Sequence, residues 1–152
     1  MKISQRENYC YSIDYFPSED EEYLNEQQLR YFECKLLEQK KELKEKIQTS
    51  IQKLKTLKAE SSELIEKSNN EHEIGLELKA VERNSNLLRL SEGALRRIKE
   101  GYFGYCVITG QAIGLRRLSI IPTTTMSIDA MRMFEQDRAM KRGSINGYNS
   151  GL

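Results

Sequence analysis

Between Pro17 and Gly75 the chain carries neither proline nor glycine, and its apolar side chains there fall into one stripe. From Leu29 they recur at Phe32, Leu36, Leu43, Ile47, Ile51, Leu54 and Leu57, the three-and-four spacing that collects side chains on one helical face. Lys, Glu, Gln and Leu dominate the stretch, and all favour helix. A second stripe runs through Ile74, Leu78, Val81, Leu88, Leu95, Ile98 and Tyr102 and stops at Gly101 and Gly104, residues suited to the positive φ that ends a helix. Two arms of similar length predict an antiparallel coiled-coil hairpin over residues 21–104.

The Ser- and Asn-rich decade 61–70 separates the stripes. Such side chains compete for backbone hydrogen bonds and favour turns and caps, so this decade is the expected tip, with Ser68-Asn69-Asn70-Glu71 starting the second helix. An arm from Phe32 to Ser61 extends roughly 45 Å, which carries the tip far from the rest of the chain. Residues 21–100 hold 16 acidic and 16 basic side chains, so the apolar seam and not net charge must hold the arms together.

Charged residues make up 31% of the 152-residue chain and the net charge is +1. That balance lacks the basic excess that drives binding to duplex DNA. Residues 101–152 alone hold six basic and three acidic side chains, which favours an acidic partner surface. Three scattered cysteines suggest no disulfide framework, and no apolar leader follows Met1, so the expected compartment is the cytosol. The longest charge-free apolar run, Leu118–Ile128, is 11 residues and contains Pro122, too short for a membrane span. Residues 1–20 show no sustained period and are expected to be irregular or docked on the head.

Beyond Gly101 the period changes. Residues 105–126 are turn-rich and β-branched, 127–142 predict a C-terminal amphipathic helix, and 143–152 predict a disordered tail. Cys106-Val-Ile-Thr109 and Ser127-Ile-Asp-Ala130 stand 17 residues apart, the frame of a four-ligand zinc ribbon. Only Cys106 is a good ligand. Zinc requires four thiolate, imidazole or carboxylate donors in a closed structural site, so a metal-free head is expected unless Cys10, Cys34 or His72 is borrowed. Its stability is then expected from Val107, Ile108, Ile113, Leu115, Leu118, Ile120, Ile121, Met126, Ile128, Met131, Met133 and Phe134, the methionines serving as core filler. Cys106 is expected to be buried under Tyr105 and Ile108, and His72 to face solvent.

In this order of parts, with Glu21-Glu-Tyr-Leu-Asn-Glu-Gln-Gln-Leu29, Glu73-Ile-Gly-Leu-Glu-Leu78, Gly101-Tyr-Phe-Gly-Tyr-Cys106, Gly114-Leu-Arg-Arg-Leu118, Pro122-Thr123 and Ile128-Asp129, the chain resembles the DksA/TraR family of bacterial RNA polymerase-binding factors over about residues 21–142. The resemblance implies a mainly α fold with a zinc-ribbon-like head. The family's four cysteines fall on Cys106, Thr109, Ser127 and Ala130, which implies a zinc-free paralogue. Its acidic tip pattern falls on Glu63, Glu66 and Ser68, keeping both charges. It implies that the hairpin enters the polymerase secondary channel and alters open-complex stability during initiation without reading DNA, with Arg83 as a possible polymerase contact. The basic residues that help bind guanosine tetraphosphate, the nucleotide of the stringent response, fall on Leu90, Ile121 and Met131. Three apolar side chains cannot pair a polyphosphate, so weakened dependence on that nucleotide is expected.

Two other readings fit the same arms. A transcript-cleavage factor of the GreA type would use Glu63 and Glu66 to hold magnesium in the polymerase active site. A structural adaptor would dimerise through the seam, whereas two matched arms in one chain favour a monomer. No phosphate loop, nucleophile elbow or paired-histidine motif points to an independent enzyme.

Overall fold

The computed structural model describes residues 15–60 and 64–146, with side chains over 15–59 and 70–141. Its helices are α1 (Glu26–Glu60), α2 (Leu64–Glu100), α3 (Leu115–Ile120) and α4 (Ile128–Asn146). The first two pack as an antiparallel hairpin, each roughly 50 Å long at 1.5 Å per residue. Among the described residues there is one isolated antiparallel bridge, Tyr105 to Ala112, and no named strand.

Local chemistry sets the ends of the arms. Asn25 caps α1 by accepting the Gln28 N–H through Oδ1 at 2.9 Å, and the Gln28 Oε1 accepts the Leu24 N–H at 2.7 Å. This reciprocal arrangement resembles a capping box and satisfies two donors at the helix entrance. At the other end, Gly101 takes φ 83°, while the Tyr102 and Gly101 N–H groups bond to the Arg97 and Ile98 carbonyls. That pairing is a Schellman stop, and the left-handed φ explains why glycine stands there. Because α2 already begins at Leu64, residues 64–70 are helical and the second helix starts before Ser68. The rest of the expected tip, residues 61–63, lies outside the described residues.

The seam is more polar than the apolar stripes suggested. On α2 the inward positions include Ile74, Glu77, Val81, Asn84, Leu88, Ser91, Leu95 and Ile98, an alternation of three and four. Facing them, Ser50 occupies the inward position on α1, whereas Ile51 is exposed, as are Leu78 and Tyr102 at the expected stripe positions. Glu77 is held by a 2.9 Å ion pair with Lys53. The Lys53 bond and a Ser50 hydrogen bond lower the Glu77 carboxyl pKa. Ser91, fully buried, donates to the Leu87 carbonyl at 3.0 Å. The Ser91 hydroxyl needs that partner because its water is removed.

The main core lies where the arms meet the head. Phe32, Leu36, Ala94 and Leu95 from the hairpin cluster with Phe103, Cys106, Ile113, Leu115, Leu118 and Ala130. Phe32 and Phe103 rings are 5.5 Å apart. The head's expected apolar set is therefore corrected: Ile113, Leu115 and Leu118 are buried and Met126 is partly buried against this cluster. Val107, Ile108, Ile120, Ile121, Ile128, Met131, Met133 and Phe134 are exposed. The head is too small to enclose its own core, so it buries one face on the arms and leaves the other outside.

Residues 15–25 form a strap across this junction. Tyr15 and Phe16 pack against Tyr31, Tyr15 bonds Glu21, and Gln28 reaches the Ser18 carbonyl at 3.1 Å. Tyr23 donates to the Gly104 carbonyl at 2.7 Å and accepts the Gly114 N–H at 3.2 Å. Gly104 has φ 80°, and a Cβ there would lie 2.4 Å from a Leu24 methyl. Backbone form and close approach thus require the same residue.

Candidate functional site

The vestigial metal frame has become a hydrogen-bonded corner. Cys106 is 2% exposed and free. Its N–H donates to Gln111 at 2.8 Å, its carbonyl accepts from Gly110 at 2.8 Å, and Val107 donates to Thr125 at 2.9 Å, joining the two halves of the frame. Burial pushes the Cys106 thiol pKa up, but the Thr109 hydroxyl and the backbone N–H groups of Ser127, Thr109 and Ile108 outweigh it, lowering the pKa from 9.0 to about 6. Converging donors favour the thiolate even in a buried setting. Tyr105 and Ile108 are themselves exposed, at 42% and 58%.

Ser127 and Ala130 have acquired structural roles. Ser127 accepts the Ala130 N–H through its hydroxyl at 3.2 Å, an N-cap bond at the start of α4, while Ala130 is 2% exposed within the main core. One thiol, two hydroxyls already engaged in hydrogen bonds and a methyl group do not make a zinc donor set. Among the described residues, no group of three or more His, Cys, Asp or Glu side chains gathers as a metal site. Cys34 is disulfide-bonded, which corrects the expectation of no disulfide and removes one residue that a metal might have borrowed. His72 is exposed.

The head is fastened to the hairpin by cations that close loop carbonyls. Lys35 reaches the Ser119 carbonyl at 2.6 Å and Arg97 the Thr123 carbonyl at 3.2 Å, while within the head Arg117 closes on the Met126 carbonyl at 3.1 Å. Desolvation lowers the Arg97 pKa, with neighbouring Arg96 adding to the effect. These bonds orient the head against the arms, so the hairpin has a fixed base.

The other sequence-derived positions divide by height along α2. Glu63 lies outside the described residues; Glu66 and Ser68 are on the first turns of α2, with side chains outside the described set. Arg83 is exposed farther down the arm. Leu76, Leu87 and Leu90 are exposed too, and with Arg83 their spacing gives an outer helical stripe distinct from the seam. The sequence held this signal as leucines left over from the inward register. Leu90, Ile121 and Met131 are 40%, 47% and 37% exposed. Among the described residues, no helix is long and apolar enough to cross a membrane.

Residues 28–98 match the family model described as DnaK suppressor protein DksA, N-terminal domain. The chain is 37% identical over 129 residues to an RNA polymerase-binding transcription factor DksA of Caulobacter vibrioides, covering 85% of this chain and 91% of that protein. It is 30% identical over 115 residues to the factor of the same name from Escherichia coli K12, covering 76% of each. Its fold is similar to the solved transcription factor DksA2 from Pseudomonas aeruginosa, with TM-score 0.73 and 34% identity, covering 77% of this chain and 90% of that one.

Proposed function

Because this chain belongs to the DksA family, we propose that it binds bacterial RNA polymerase and regulates transcription initiation through the secondary channel. The observation carrying this reading is the hairpin itself: two helices of 35 and 37 residues, joined across only 61–63 and fixed to a head at one end. Such a rod can hold Glu63 and Glu66 tens of ångströms from its base. Carboxylates delivered there alter open-complex stability only through different interaction energies with competing polymerase states. The outer Leu76–Arg83–Leu87–Leu90 stripe lines the arm where it passes the channel wall. Promoter selectivity follows from each promoter's kinetics and requires no DNA reading by this protein.

The head works without zinc, because the hydrogen bonds around Cys106 and the packing of Ala130 replace ligand bonds. Response to guanosine tetraphosphate is weaker than in relatives with cations at positions matching Leu90, Ile121 and Met131. The test is photo-crosslinking from position 66 to purified polymerase, together with incubation of backtracked complexes. Crosslinks to channel or active-site elements with transcripts left intact support the proposal. Crosslinks confined to the outer polymerase surface contradict channel entry, and shortened transcripts assign cleavage instead.

A further inference from the structure

We infer that Tyr23 is a positioning residue: its hydroxyl pins the head to the entrance of α1 and so sets the direction in which the hairpin leaves the head. The hydroxyl donates to the Gly104 carbonyl at 2.7 Å and accepts the Gly114 N–H at 3.2 Å. Gly104 precedes and Gly114 follows the bridge between Tyr105 and Ala112, so one oxygen ties both ends of the turn that carries Cys106. The Gly104 carbonyl also accepts the Ile113 N–H at 2.9 Å. Tyr105 packs edge-on against the Tyr23 ring, with centroids 5.8 Å apart. Burial raises the Tyr23 pKa above its ordinary value against the lowering by the Gly114 and Ile113 backbone bonds, so the hydroxyl keeps the proton it donates.

The backbone beside it carries a second, independent sign. Among the described residues, Leu24 alone of the non-glycine residues has a positive φ, at 57°. A leucine stays in that region only where its surroundings hold it there. Gln28, fully buried, takes the Leu24 N–H at 2.7 Å and reaches back to the Ser18 carbonyl, while the Leu24 side chain packs on the base core beside Gly104. The strained turn thus swings the chain into α1 with Tyr23 kept against the head. Lys35 and Arg97 also tie the arms to the head, but their long side chains follow a rotation, whereas the Tyr23 ring has little rotamer freedom with which to do so. The lever is long. Because α1 and α2 are each roughly 50 Å in length, a tilt of about 5° at the base moves the far end by roughly 4 Å, more than the tolerance of a hydrogen bond there. The consequence for transcription rests on the polymerase reading; the pin itself does not.

Tyr23→Phe keeps the ring and deletes the oxygen. Residual dipolar couplings of backbone amides in the arms and in the head, measured on the full chain, report whether the two parts share one alignment frame. The expected result is a shared frame in the wild type and, in Tyr23→Phe, a head frame rotated or weakened relative to the arms, with the Gly114 amide exchanging faster. Leu43→Ala, which removes a buried seam side chain, is expected to lower the melting temperature and keep the shared frame, so lost stability alone does not reproduce the signature. On purified polymerase at saturating protein, Tyr23→Phe is expected to lose most of the wild-type effect on open-complex lifetime. An unchanged head orientation in Tyr23→Phe overturns the pin, and a rotated head with the full effect on lifetime overturns its positioning role. If the wild-type chain itself leaves open-complex lifetime unchanged, the polymerase reading fails, and the dipolar couplings alone decide the pin.

Discussion

The base and the distal part of the hairpin are held together differently. At the base, aromatic and aliphatic side chains from three parts of the chain interlock: Phe32 and Leu36 from α1, Ala94 and Leu95 from α2, and Phe103, Leu115 and Leu118 from the head. Farther along, Ser50, Glu77 and Asn84 interrupt the apolar seam. The base supplies a rigid mount, whereas the arm fixes helix register through Glu77 and its partners Lys53 and Ser50 and gives up some apolar burial. A rod anchored at one end works in this way when its far end does the contacting.

The difference is sharpest under truncation. Phe32→Ala removes a fully buried ring between Tyr31 and Phe103 and is expected to cost about 3–5 kcal/mol in urea unfolding. A cost below about 1 kcal/mol would show that the base does not anchor the fold. Gly104→Ala comes next, at roughly 1–3 kcal/mol, because its side chain meets Leu24 and Tyr23 in a left-handed backbone. Unchanged stability there would remove the strap from the base.

The thiol corner offers a pH-dependent comparison. Since the Cys106 pKa is lowered from 9.0 to about 6 in the folded chain, its stabilising contribution is full above about 9 and is lost as pH falls through about 6. Unfolding measured across that window is expected to show stability declining toward acid, with the decline reduced in Cys106→Ala. Zinc or a chelator is expected to leave the melting temperature unchanged; a large rise with zinc would restore a metal role to the head. The smallest effect belongs to the arm. Lys53→Ala is expected to leave the urea midpoint nearly unchanged, because its partner Glu77 lies in an accessible pair that solvent screens.

Much of this architecture was legible in the sequence because helix-forming residues and spaced leucines carry a local signal. Gly101 marked the end of α2 for the same reason. Ser50 and Glu77 were not legible as seam residues, since an inward polar side chain resembles a solvated one until its partners are known. The head misled in the opposite direction: Val107, Ile120 and Met133 resemble core residues by type, yet burial depends on which face the arms cover. Ser127 read as a missing metal ligand and serves as a helix cap, a role fixed by its bond to Ala130. The disulfide at Cys34 depends on long-range approach, which cysteine count alone does not encode.

The direct measurement of tip action is open-complex lifetime on purified polymerase with wild type and the Glu63→Ala/Glu66→Ala variant, with polymerase binding measured on the same samples. The account predicts affinity within about twofold, less than 0.5 kcal/mol, and loss of the effect on open-complex lifetime. A variant that binds and changes that lifetime as strongly as wild type would contradict it.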